Sequence, residues 1–214
     1  MKFRSVLVPA VALCVMLPAV AAVAATEKTA PGLDNPYLPK IEKATTDLGD
    51  KLDKNALKHL YYVREGFGAT RAVMLVRRDV DAAVKACGKA NPDMKGDLDA
   101  EFSKWTSEVD PIVKQNETMI NRAIAEQTYI KPKEINDYLK LIQQAGEYAN
   151  KEIDKQIVTT PEACASLEKS MDKTRTAVSK LLSEMKLLVW PLSESESVTG
   201  RDVVGSKKTL SKNE

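Results

Sequence analysis

The chain has 214 residues, with 32 basic side chains against 30 acidic ones and a single histidine. Near-neutral charge and the lack of a basic run exclude the electrostatic footprint of a nucleic-acid binder and a polybasic patch for anionic lipid. Aromatics are 5% of the residues, and no alternating strand pattern or Asn-Gly hairpin signal occurs, so the composition points to an all-α fold.

In chain order, residues 1–25 come first. Lys2 and Arg4 precede an apolar run from Val6 to Ala25 that holds no acid and ends in Ala22-Val23-Ala24-Ala25. This is the pattern of a cleaved secretory signal, with the cut after Ala24 or Ala25. Pro9 and Pro18 interrupt the run and disfavour a retained membrane span. Cys14 follows Leu13, which is too bulky for a lipobox, and leaves with the signal. Loss of Lys2 and Arg4 gives a mature chain of 30 basic and 30 acidic residues. No later segment is apolar enough to span a bilayer. The expected location is the periplasm or the cell exterior. Residues 26–39, with Asp34, Pro36 and Pro39, read as an extended leading segment.

Residues 40–190 read as a helical bundle. A first stripe runs from Ile41 through Leu48, Leu52, Asn55 and His59 to Tyr62, Gly66, Val73, Val80 and Cys87. One helix of that length would measure about 70 Å, so a break near Gly49 to Asp53 is expected, leaving a short helix before a long one. Asn91-Pro92 pairs a cap residue with proline at a helix start, and Leu98, Phe102, Trp105, Val109, Ile112, Asn116 and Met119 follow. Pro111 should kink that helix. Lys131-Pro132 opens a third stripe, Ile135, Leu139, Ile142, Gly146 and Ile153. Thr160-Pro161-Glu162 opens a fourth, from Cys164 through Met171, Val178 and Met185 to Leu188, and Pro191 is expected to stop it after Trp190. Residues 191–214, rich in Ser, Lys and Glu, read as a disordered polar tail.

Alternating spacings of three and four are the seams of packed, coiled-coil-like antiparallel helices. Short connections between four long helices predict an up-down-up-down four-helix bundle, with a short extra N-terminal helix. In that order the end of the first long helix meets the start of the last. Cys87 and Cys164 lie at those two places, and a secreted pair within reach would form a disulfide.

No catalytic motif, metal motif or phosphate loop is present, so no catalytic residue, metal or cofactor is assigned. His59 is the one candidate base or ligand. Counting down both helices from the cysteines sets Met185 about 10 Å from it, with Met119 closer in level, so a His–Met haem is a minor alternative. The same count gathers His59, Tyr62, Asn116, Tyr129 and Trp190 at the pole opposite the cysteines. They form either a hydrogen-bonded layer that fixes helix register or a small-ligand pocket. Arg64-Glu65-Gly66-Phe67-Gly68 is the most unusual string. Its glycines suit a close helix approach or a kink. Arg64, Glu65 and Arg71 form either a polar surface site or ordinary ion pairs. The expected function is an exported binding or interaction protein with a protein partner and no evident catalytic chemistry. The alternative is a bundle that binds a small ligand or cofactor near His59. An enzyme is third.

Overall fold

A computed structural model describes residues 34–153 and 157–198, and among these no strand occurs. The expected signal, the start of the leading segment (26–33) and the end of the polar tail (199–214) lie outside the described residues. Five helices follow in order: α1 (Leu38–Gly49), α2 (Lys54–Ala90), α3 (Lys95–Glu126), α4 (Pro132–Glu152) and α5 (Pro161–Ser183).

The helix ends follow local chemistry. Asp53 caps α2 by accepting from the Ala56 N–H at 2.8 Å, and Thr160 caps α5 by accepting from Ala163 at 3.3 Å. Asn91 does something else. Its side chain makes no cap bond, and a 3-10 turn, Pro92–Met94, precedes α3. The Asn91 amide instead donates to the Thr159 carbonyl at 2.9 Å and to the Cys87 carbonyl at 3.3 Å, joining the end of α2 to the start of α5. Pro111 lies inside α3, on an exposed position, and the helix runs through it.

The core divides along the α2–α3 pair. One cluster joins Val73, Val84 and Cys87 of α2 to Leu98, Trp105 and Val109 of α3 and to Cys164, Met171 and Leu182 of α5. A second joins Leu48 of α1, Leu60 and Val63 of α2, Ile120 and Ile124 of α3, and Ile135, Tyr138 and Leu139 of α4. Helix lengths explain the division. α2 has 37 residues and α5 has 23, so they span about 55 Å and 35 Å at 1.5 Å per residue. α5 therefore covers one half of the pair, while α1 and α4 cover the other. Polar contacts hold the same layout. Arg77 grips Asp110 with two bonds of 2.8 and 2.9 Å between α2 and α3. Arg175 of α5 reaches Glu101 at 3.3 Å and Glu108 at 3.1 Å on α3.

The last helix is shorter than its stripe implied. α5 stops at Ser183, and residues 185–190 are non-helical. Met185 and Leu188 keep helical spacing on a non-helical segment, which covers more length per residue: Met185 is half-buried against the first cluster, Leu188 is buried, and Leu187 packs against the second cluster. Asn116 meets one backbone group left free at this end, donating to the Leu182 carbonyl at 3.1 Å. Residues 191–198, the start of the expected tail, lie against α2. Lys58 Nζ donates to the Glu196 carbonyl at 2.6 Å, and the Val198 N–H donates to Asn55 Oδ1 at 2.7 Å. At the other end of the described chain, the Asn35 amide donates to the Ala145 carbonyl at 2.9 Å and so ties the approach to α1 onto α4.

Cys87 and Cys164 lie at bonding distance, 2.03 Å between sulfurs and 5.7 Å between α-carbons. The pair closes 77 residues of separation. Reduction, or Cys87→Ser with Cys164→Ser, should lower unfolding stability by roughly 2–5 kcal/mol through the added freedom of the unfolded chain. Urea melts of oxidised and reduced protein measure the loss, and coincident melts would contradict it.

Candidate functional site

Of the five residues expected at the far pole, the fold brings three together. His59 has no exposed surface. Its Nδ1 lies 2.8 Å from the Tyr129 hydroxyl. The three rings meet edge to face, with centroids 5.6 Å apart for His59–Tyr129, 5.7 Å for His59–Trp190 and 4.8 Å for Tyr129–Trp190. Edge-to-face packing sets the positive rim of one ring against the negative face of another. Trp190 Nε1 donates to Thr128 Oγ1 at 3.0 Å, which fixes the indole over the histidine. Tyr62 and Asn116 are held elsewhere. Tyr62 packs edge to face on Tyr61, centroids 5.6 Å apart, and Asn116 serves the end of α5.

Gln127 places Tyr129, and nothing in the sequence singled it out. Its buried side chain donates to the Ile124 and Ile130 carbonyls at 3.2 and 2.7 Å, while its Oε1 accepts from the Tyr129 and Ile130 N–H groups at 3.1 Å each. One amide thus stands in for the backbone bonds that a tight α3–α4 turn cannot make. Its only sequence signal is position, one residue past the end of α3.

The electrostatics of the cluster favour neutral groups. Burial holds the His59 pKa below its ordinary value, against a smaller raising pull from the Leu188 backbone. Nε2 nevertheless has no partner within hydrogen-bond geometry among the described residues. Burial also pushes the Tyr129 phenol well above the ordinary tyrosine range. A sealed, uncharged imidazole is poorly placed for acid–base work on a substrate, since no reacting atom can come within reach of it.

Arg64, Glu65 and Arg71 do not converge on one site. Arg64 and Glu65 pair with each other at 3.5 Å on exposed surface. Arg71 pairs with Glu117 of α3 at 3.4 Å, contacts Met74 Sδ at 3.3 Å, and lies over the Phe67 ring at 5.1 Å. Among the described residues no group of three His, Cys, Asp or Glu side chains is arranged to hold a metal ion.

The two glycines of the string have separate surroundings. A Cβ at Gly66 would sit 2.8 Å from Leu187 Cδ2, so the missing side chain lets the segment after α5 close on α2. A Cβ at Gly68 would meet nothing within 4 Å. Gly68 borders a cavity of about 480 Å³ between α2 and α4. Gly68, Ala72 and Leu75 form one wall, and Ile142, Gln143 and Gly146 form the other. Arg71, Arg78 and Glu147 also line it. Small residues on both helices leave this space as α4 passes α2. Gly146, a seam residue by its spacing, instead faces this space.

No protein-family model, curated protein or solved structure matches this chain.

Two outcomes follow from this geometry. The unfolded chain takes up a proton on His59 near the ordinary value of about 6.5, before the native protein does. Stability is therefore full above that pH and falls as the pH drops through it, until native His59 also protonates. Denaturation midpoints should decline from pH 7.5 to 5.5 in the wild type and change less in His59→Gln, and parallel declines would contradict the assignment. Gly68→Ala should raise stability by about 1 kcal/mol, the helix-propensity difference. Gly66→Ala should fall short of that gain because Leu187 must move, and equal gains in denaturant melts would remove the role given to Gly66.

Proposed function

We propose that this is an exported helical binding protein that acts without catalytic chemistry and binds its ligand in the groove between α2 and α4. The observation that carries the reading is the cavity. At about 480 Å³ it falls within the ~300–1,000 Å³ typical of small-molecule sites, and its walls are largely apolar with a few charged groups, the usual make-up of such sites. The small-ligand reading thereby moves from His59 to the stretch of α2 between Gly68 and Arg78.

Export is supported by the N-terminal signal pattern and by the Cys87–Cys164 pair, since stable disulfides belong to oxidising compartments. Among the described residues no helix is long and apolar enough to cross a membrane. In this reading α2 to α5 run up-down-up-down, with α4 rising along α2 and α5 descending from the cysteine pole. A protein partner is the second reading. It draws on Ile153, Ile157 and Val158, large apolar side chains left half-exposed where α4 leads to α5.

The groove is tested with Nile red, a neutral dye that brightens in apolar sites, added to the exported chain. We expect saturable binding near one dye per chain. Gly146→Phe, which directs a ring at Leu75, should abolish it at unchanged helicity. Absence of binding, or equal brightening in both proteins, would overturn the groove reading.

A further inference from the structure

The ligand class of this groove can be argued from its charges and dimensions, and the argument rests on the binding reading above. We infer that the groove takes a single-chain amphiphile with an anionic head, a carboxylate or a phosphate, whose apolar chain lies along α2 and whose head is held by Arg78.

The shape sets the chain. From Gly68 to Arg78 the α2 wall runs ten residues, about 15 Å of helix. Along that length Gly68, Ala72 and Leu75 face Ile142 and Gly146 across the space. The small residues leave width for one aliphatic chain. An apolar chain held there loses contact with water without any polar wall group having to be stripped of its partner.

The charges set the head. Three charged side chains line the groove, and two of them are engaged. Arg71 is drawn to Glu117 at 3.4 Å and to the Phe67 ring. Glu147 accepts from Gln143 Nε2 at 2.7 Å on its own helix. Arg78 differs from both. Among the described residues its ion-pair contact is the neighbouring Asp79 at 3.9 Å, too long for a strong bond, and its side chain is 63% exposed. An arginine with most of its donors in water can turn to grip two oxygens of a carboxylate or phosphate side by side. The groove therefore offers an apolar channel that ends on a guanidinium able to take an anion.

Displacement of Nile red from the exported chain tests this with four probes of one chain length, each below its micelle concentration. The probes are dodecanoate, dodecyl phosphate, dodecanol and dodecyltrimethylammonium. We expect at least one of the two anions to displace the dye at about tenfold lower concentration than dodecanol, the scale of one charge-assisted contact. The stronger anion identifies the head group. Arg78→Gln, at an exposed position and with unchanged melting, should bring that anion level with dodecanol and leave dodecanol itself unaffected. Equal displacement by anions and alcohol, preference for the cation, or an anion advantage that survives Arg78→Gln would overturn the inference. If Nile red binds and Gly146→Phe removes it, those outcomes leave the groove standing and reject only its anionic ligand. If Nile red does not bind, the groove and the inference fall together.

Discussion

Two antiparallel helices of more than thirty residues cannot be covered by neighbours of about twenty. That mismatch between α2–α3 and the shorter α4 and α5 governs the rest of the molecule. Each shorter helix buries part of the pair, so the core forms as two clusters. Each half then carries its own fastening. The cysteine half has the sulfur link, the Asn91 contacts and the Arg175 network. The opposite half has the three rings around His59 and the crossing of residues 184–198. The groove belongs to the same geometry, because α4 lies along α2 with small residues on both facing walls.

Gly66 and Gly68 illustrate how position decides what a missing side chain does. Two residues apart on a helix, they point about 200° apart. Gly66 faces the returning chain, where its hydrogen admits Leu187. Gly68 faces α4, where its hydrogen leaves volume unfilled. One glycine permits contact and the other prevents it, within a single turn.

Much of the helical layout was legible because its signals are local. Thr160 caps α5 as its place before Pro161 suggests, and Pro132 and Pro161 open α4 and α5, whereas Pro92 opens a 3-10 turn and α3 begins only at Lys95. The seams of α3 and α4 place Trp105, Val109, Ile135 and Leu139 in the core at their expected spacing, and Cys87 and Cys164 lie at bonding distance. The site was less legible. Tyr129 and Trp190 join His59, because their ring contacts fall near the level that the cysteine register predicts. Tyr62 and Asn116 share that level but face other neighbours, which a count along helix axes cannot tell. The end of α5 was misjudged because Met185 and Leu188 satisfy a three-residue spacing whether or not the backbone remains helical. The groove leaves no such local signal. A cavity is made by side chains that are absent, and Gly146 and Ala72 resemble seam residues until the distance between helices is known.

The crossing of residues 184–198 also orders events in time. Cys164 and most of α5 precede Trp190 in the chain, whereas Asn55 and Lys58 are 143 and 138 residues away from their partners Val198 and Glu196. Contacts that close such long loops form late, after nearer ones have shortened the effective separation. The cysteine half can therefore close while His59 is still uncovered. The arrival of Trp190 seals the other half. A chain without Trp190 would keep every described helix but lose the indole that packs on His59.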